Sequence, residues 1–311
     1  MKVYNSIEDI SPIPNAIVTS GTFDGIHLGH QKILKRLVDL AKKNNGESVL
    51  FTFHPHPRHV LFPSKTFKLL STLEEKKELL AKVGIDRLII QPFTAEFSKI
   101  SSDYFIREFI EKKIGAKRLV IGYDHKFGNN REGSFDYLNQ NKHLHSFDIE
   151  EIKRKDIDHI GVSSTAIRKS LAVGEIKKAN SLLGRLYSLT GVVVKGKQIG
   201  RTIGFPTANL DIDKNKLIPA NGSYTVKALC NGNKYGAMLN VGNRPTLNGN
   251  QISIEVHIFD FNQDIYEQTI TIEFIDQLRE ERKFDSIEAL QLQLQKDKKQ
   301  SLENITDYEK F

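Results

Sequence analysis

Three groups of residues in this chain have the types and spacing to handle phosphate. The first is Gly21-Thr22-Phe23-Asp24-Gly25-Ile26-His27-Leu28-Gly29-His30. The apolar run 16–20 before it reads as a buried strand, and Ile33, Leu34, Leu37, Leu40 and Ala41 after it fall on one helical face that ends by Gly46. A strand, a glycine-rich turn and a helix N-terminus offer free backbone N–H groups and the positive end of the helix dipole to an anion. His27 and His30, three apart near the first turn, then point the same way and can donate two hydrogen bonds to a phosphate and its transition state, while Gly29 lets the backbone come close. The same spacing occurs in metal sites, but no third ligand stands nearby in sequence.

The second group is Val162-Ser163-Ser164-Thr165-Ala166-Ile167-Arg168, which opens a helix predicted to run to about Leu171. Its hydroxyls read either as caps or, with Arg168 one turn on, as holders of a polyphosphate. The third runs from Gly196 through Lys197, Gly200, Arg201, Gly204, Phe205 and Pro206 to Thr207-Ala208-Asn209-Leu210. Three glycines permit a backbone cradle and Lys197 and Arg201 bring charge, without the spacing of a Walker loop; an ordinary turn is the plainer alternative. Thr207 and Asn209, two apart in an extended segment, present oxygens on one face that suit Mg²⁺ holding ATP phosphates. His54 and His56 in Phe53-His54-Pro55-His56-Pro57-Arg58 read as loop structure or substrate contact ahead of metal ligands, because the prolines set an extended turn and no carboxylate is close.

The elements that must position these groups change character along the chain. Up to about Arg185, β-branched runs at 16–20, 48–53, 87–90 and 117–121 alternate with helix-period segments, which predicts βα units around a parallel sheet. Thr72 with Glu75 makes a capping box for a helix ending near Gly84, and Gly115 closes another. From Leu186, strand-like runs at 188–194, 223–230, 234–240, 252–260 and 268–274 are separated by glycine and asparagine turns, with Asn231-Gly232-Asn233 a hairpin signal. Asp285 with Glu288 is expected to cap a last amphipathic helix. Two domains follow, an α/β domain over 1–184 and a mainly antiparallel β-barrel with a C-terminal helix over 185–311.

The 311 residues are 39% hydrophobic and 27% charged, a globular composition for two cores. No apolar run approaches the ~18 residues of a membrane span. Glu8 and Asp9 in a start without an apolar stretch do not read as a secretory signal, so a cytoplasmic location is expected. The single cysteine, Cys230, excludes an intrachain disulfide and multi-cysteine zinc patterns and reads as a small core residue. A net charge of +7 suits nucleic acid or a phosphorylated small molecule. Lysines are spread along the chain, with one modest cluster at Lys296, Lys298 and Lys299.

H-x-G-H early and S-S-T-x-x-R late in an α/β domain resembles the nucleotidylyltransferase superfamily, and G-T-F-D-G-I-H-L-G-H resembles bacterial FAD synthetases in particular. G-R-x-x-G-F-P-T-A-N-L resembles riboflavin kinases, and that resemblance extends through 240–246, 255–260 and 278–284. It implies a doubly wound nucleotidyltransferase domain and a six-stranded barrel. It also implies phosphorylation of riboflavin to FMN and adenylyl transfer to FMN giving FAD, with ATP, Mg²⁺ and flavins as small-molecule partners and neither nucleic acid nor membrane. His27, His30, Ser164, Thr165 and Arg168 would hold the triphosphate, with Gly21, Thr22, Gly29 and Ser163 at the nucleotide and Phe23 and Asp24 shaping the site. The segment Gly122-Tyr123-Asp124-His125-Lys126-Phe127-Gly128 would line the flavin and metal side through Asp124 and Phe127; His125 stands where the family pattern G-x-D/N-F-x-F-G has its first aromatic. Glu255 would be the base for the riboflavin 5′-hydroxyl, an exposed strand glutamate being the alternative, and Arg279 would lie near flavin and nucleotide. Competing readings are a chain with only the kinase active and a non-catalytic RNA-binding protein.

Overall fold

The computed structural model describes residues 1–64, 66–153, 161–196, 199–246 and 249–310. They divide into two compact units, Met1–Ser163 and Ser164–Phe311. The change of sequence rhythm near Gly184 lies two helices beyond that division.

The first unit is built on a parallel six-stranded sheet in the order β1-β4-β3-β2-β5-β6, formed by β1 (Lys2–Tyr4), β2 (Ala16–Ser20), β3 (Ser48–His54), β4 (Arg87–Pro92), β5 (Ala116–Gly122) and β6 (Asp148–Ile152). Because successive side chains alternate faces, Val18, Val49, Phe51, Ile89 and Leu119 enter one core while Ile17, Leu50, Leu88, Ile90 and Val120 enter another. Helices α1 (Leu28–Lys43) and α3 (Leu73–Val83) supply Leu34, Leu37 and Leu80 to the second core, and the helical segment α4 over 102–113 supplies Phe105, Ile106 and Ile110 to the first. A sheet buried on both faces explains the near-continuous apolar runs of its central strands. Shorter pieces are α2 (Pro57–Leu61) and α5 (Phe135–Gln140). The expected Thr72–Glu75 capping box is complete, and Gly84 ends α3 at φ 91°. Four strands were expected and six form. β1 is three residues long and β6 reads Asp-Ile-Glu-Glu-Ile, and both lie at sheet edges where an apolar run is not required.

The second unit opens with α6 (Ser164–Ala172) and α7 (Ile176–Leu183) and continues as a closed barrel in the order β10-β11-β8-β7-β12-β9. Its strands are β7 (Tyr187–Val194), β8 (Ala208–Ile212), β9 (Gly222–Cys230), β10 (Asn233–Thr246), β11 (Gly249–Ile258) and β12 (Thr269–Glu280), with a short α8 (Ile199–Thr202) and a long C-terminal α9 (Ile287–Glu309). Asn231 and Gly232, at φ 51° and 77°, make the two-residue hairpin between β9 and β10 that their sequence announces. α7 is pinned to the barrel by Asn180, whose side chain donates to the Phe274 carbonyl and accepts from the Tyr187 N–H. Cys230 is buried in β9.

The cap of α9 differs from expectation: Ser286, not Asp285, accepts the Ala289 N–H at 3.1 Å. The stronger hold on this helix is electrostatic. Arg279 of β12 donates through Nε and Nη2 to the Asp297 carboxylate at 3.0 and 2.9 Å, and Gln293 donates to its other oxygen at 2.6 Å. Asp297 is 6% exposed at its side chain and Arg279 17%, so removing one partner strands the other charge out of water. Asp297→Ala is therefore expected to destabilise the barrel unit by about 3 kcal/mol, measured as a lowered denaturant midpoint of its unfolding transition; an unshifted midpoint would show that α9 is held by other contacts.

Candidate functional site

From β2 the sheet grows one way through β3 and β4 and the other way through β5 and β6, so the order reverses between β2 and β5. In an open α/β sheet the crevice beyond the carboxyl ends of the strands at such a reversal is where ligands bind. Here the 21–27 turn leaves β2 and the 122–128 segment leaves β5. A cleft of about 520 Å³ does open at the amino ends of the strands, lined by Lys117, Arg118, Lys142 and His145 among others. Its Arg118 is already answered by Asp148 and Glu150.

The turn after β2 is an unusual backbone. Phe23, Gly25 and Ile26 have φ of 45°, 83° and 38°. A Cβ on Gly25 would come 2.8 Å from the Leu70 side chain, so the position admits only glycine. Asp24, 2% exposed, accepts the Leu70 N–H at 3.0 Å and the Ser71 N–H at 3.1 Å. Lys76 of α3, also buried, donates to the Thr22 carbonyl at 2.7 Å. Burial pulls the Lys76 ammonium pKa below its usual value, and the charge of Asp24 opposes that shift. Lys76 escaped the sequence reading, although a charge between Leu73 and Leu80 on the apolar face of α3 is a legible signal.

His27 caps α1, its Nδ1 accepting the His30 N–H at 3.3 Å. With Nδ1 an acceptor, the neutral ring carries its proton on Nε2. The two imidazoles stack at 3.7 Å between centroids, and Phe23 lies 4.8 Å from His30. The pair is thus brought together as expected, with one nitrogen of His27 committed to the cap. His30 Nδ1 is buried without a hydrogen-bond partner among the described residues, and burial, then the neighbouring His27 and Lys76, hold its pKa well below the ordinary imidazole value. Across the crevice, His125 shares a hydrogen bond with Ser20 Oγ at 3.2 Å and lies against Phe127, 5.7 Å between centroids. Burial, then Arg131, lowers His125 to about 4. Phe127 belongs to the apolar core beside Phe105, and Asp124 is exposed. His56 caps α2 through Nδ1, and Arg58 lies 4.6 Å over the Phe67 ring. Ser163 closes the first unit; Ser164, Thr165 and Arg168 stand in α6 of the second.

In the barrel, β11 and β8 pair with Glu255 opposite Asn209, and the Thr207 hydroxyl donates to the Glu255 carboxylate at 3.4 Å. A Cβ on Gly196 would collide with the Asn209 amide, and one on Gly200 with the Phe205 carbonyl, so both glycines allow close approach. Gly204 takes φ 80°, Arg201 is exposed, and Lys197 lies outside the described residues. His257 Nδ1 donates to the Pro206 carbonyl at 2.8 Å, fixing the segment that carries Thr207; its pKa is lowered by burial against that bond. Gln291 of α9 donates to the Ile203 carbonyl at 3.3 Å, a contact with no local sequence signal. Arg279, expected near ligand, has its guanidinium engaged by Asp297. Among the described residues no three His, Cys, Asp or Glu side chains gather as a metal site.

The first unit is thus of the nucleotide-binding α/β class, and the second is an antiparallel barrel with a glycine loop beside a carboxylate. A family model described as FAD synthetase matches residues 10–166 and one described as riboflavin kinase matches 183–305. The bifunctional riboflavin kinase/FMN adenylyltransferase of Haemophilus influenzae is 37% identical over 281 residues, covering 90% of this chain and 91% of that protein. That of Bacillus subtilis is 35% identical over 301 residues, covering 95% and 94%. The chain belongs to the bifunctional riboflavin kinase/FMN adenylyltransferase family. A crystal structure described as a macrolide-efflux protein from Streptococcus pneumoniae matches with a TM-score of 0.87 at 32% identity, covering 96% of this chain and 97% of that one. Among the described residues here, no helix is long and apolar enough to cross a membrane.

The half-buried imidazoles of His30 and His125 and the buried one of His257 make stability depend on pH. His30, His125 and His257 are neutral in the folded chain, whereas in the unfolded chain they take up protons below about pH 6.5. Between that value and the depressed folded-state values the unfolded state binds more protons, so stability present at neutral pH is lost on acidification. Lowering the pH from about 7 to about 5 should reduce the melting temperature by several degrees before most carboxylates titrate. A flat profile in calorimetry would contradict the neutral rings.

Proposed function

We propose that this chain phosphorylates riboflavin to FMN on the barrel and transfers the adenylyl group of ATP to FMN on the α/β unit, releasing pyrophosphate and forming FAD. The observation that carries this reading is that the H-x-G-H turn lies in the first compact unit and the Thr207, Asn209 and Glu255 set in the second, each inside the segment matched by the corresponding family model.

In the kinase step the riboflavin 5′-hydroxyl oxygen attacks the γ-phosphorus, ADP leaves, and the hydroxyl proton passes to Glu255. A carboxylate already oriented by Thr207 is suited to accept it. The hydroxyl of Thr207 and the amide oxygen of Asn209 are hard oxygen donors that would hold Mg²⁺. Bound there, Mg²⁺ would neutralise phosphate charge. Gly196, Gly200 and Gly204 admit the phosphates to close backbone contact, with Lys197 and Arg201 as countercharges. In the adenylyl step the FMN phosphate attacks the α-phosphorus and pyrophosphate leaves, so the protein contributes position and charge stabilisation. The 21–30 turn and its imidazoles meet the triphosphate. Phe23, Asp24, Asp124 and Phe127 shape the flavin side, and Arg279 borders the kinase flavin. A cytoplasmic location is part of the same reading.

Each site provides the control for the other. Glu255→Gln should lower FMN formation by ~10² or more and leave FAD formation from supplied FMN near normal. His30→Ala should cut FAD formation by ~10² to 10³ with riboflavin phosphorylation retained. Coupled product analysis with riboflavin, ATP and Mg²⁺ reads both; FMN accumulating without FAD in the unaltered chain would leave only the kinase active, and salt-dependent RNA binding without turnover would favour a non-catalytic protein.

The functional modules are proposed as 1–184 and 185–311. α6 and α7 pack within the barrel unit, with Leu171 accepting the Ala220 N–H and Asn180 bridging β7 and β12. Both 164–311 and 185–311 should therefore phosphorylate riboflavin when expressed alone, the longer piece with the higher melting temperature. Folded fragments without kinase turnover would withdraw the module assignment.

A further inference from the structure

The switch-point crevice is crossed by a side-chain bond that the proposed reaction does not itself require. His125, from the segment after β5, reaches Ser20 at the last position of β2, where its Nε2 and the Ser20 Oγ are 3.2 Å apart. Ser20 is 4% exposed and immediately precedes Gly21, the first residue of the turn. A Cβ on Gly21 would already lie 3.8 Å from His125 Cε1, so ring and turn are in close approach. On its other side the ring lies against Phe127, 5.7 Å away with 30° between planes, and Phe127 is anchored in the core. The segment is itself closed at both ends. His125 N–H donates to the Gly122 carbonyl, and Phe127 exchanges backbone bonds with Gly133. A rigid support therefore presents one polar atom to the root of the opposite turn.

We infer that His125 is a positioning residue that sets the separation of the two sides of the crevice through its bond to Ser20, and so fixes where the flavin phosphate meets the nucleotide. The inference rests on the adenylyl-transfer reading of this unit. The ring suits the task because it is neutral at physiological pH, as its low pKa requires, and can fix a hydroxyl without adding a charge that would compete for phosphate. A phenyl ring would keep the stacking on Phe127 and lose the bond; a glutamine would keep hydrogen-bonding capacity and lose the ring.

The test uses the full chain and three single variants, His125→Phe, His125→Gln and Ser20→Ala, with the double variant His125→Phe/Ser20→Ala. FAD formation from FMN and ATP is measured as kcat and KM, and riboflavin phosphorylation by the same preparations reports intact protein. Loss of one neutral hydrogen bond corresponds to a ~3- to 10-fold effect. It is expected in kcat, because misplacing reacting groups slows the chemical step more than it weakens binding. His125→Phe and Ser20→Ala should each show it, the double variant should be no worse than either, and His125→Gln should recover most of the rate. Additive losses would overturn the inference, as would full kcat in His125→Phe or a fall in kinase activity equal to the fall in FAD formation. An unaltered chain that makes no FAD would overturn the functional reading and this inference with it, which separates that failure from an active chain indifferent to position 125.

Discussion

The α/β unit depends on holding one turn in a backbone conformation that its residues would not choose. Phe23 and Ile26 both sit at positive φ, where a side chain with a Cβ costs on the order of 1 kcal/mol or more. Two buried charges offset this. The Asp24 carboxylate takes the N–H groups of Leu70 and Ser71, and the Lys76 ammonium takes the Thr22 carbonyl, so the turn is tied to the loop and helix that follow β3. Bonds to ionised groups contribute about 1.5–3 kcal/mol each, enough to hold the strained residues. The consequence is geometric: with the turn fixed, His27 stands at the cap of α1 and His30 stacks on it.

The barrel uses a different means to the same end. The segment before Thr207 is held by His257 on the Pro206 carbonyl and by Gln291 on the Ile203 carbonyl. Gln291 can act only because α9 is fixed, and the Arg279–Asp297 fork fixes it. The terminal helix thus connects the folded wall of the barrel to the loop that would receive ATP.

What the sequence disclosed and what it concealed follow from the range of the interactions. The central strands were legible because burial on both faces demands continuous apolar runs, and the Thr72–Glu75 box and the Asn231-Gly232 turn because a local hydrogen bond or a positive φ demands particular residues. β1 and β6 were not, since an edge strand can be short or acidic. The H-x-G-H turn and the Thr207, Asn209 and Glu255 set were recognisable as chemistry, and the structure brings the members of each together within its own unit. The supports were out of reach. His125 bonds Ser20 across 105 positions and Gln291 bonds Ile203 across 88, and neither pair carries a local pattern. The bond of Arg279 to Asp297, eighteen residues on, was not legible either, because a sequence does not show which carboxylate a guanidinium will meet.

The two sites differ in one respect that their nucleophiles explain. Riboflavin attacks through a hydroxyl, which must lose a proton as the new bond forms, and in the proposed mechanism Glu255, bonded by Thr207, is the carboxylate that takes it. FMN attacks through a phosphate monoester whose second proton leaves near pH 6, so at neutral pH the nucleophile is already an anion and needs no base. The turn after β2 has its own carboxylate, Asp24, buried and accepting backbone N–H groups, with the neutral His30 ring and the Lys76 ammonium beside it. A free carboxylate there would repel both phosphates. Neutral donors instead gain strength as charge accumulates on the oxygens being transferred, and a contribution that grows toward the transition state accelerates the reaction where equal binding of ground and transition states would not.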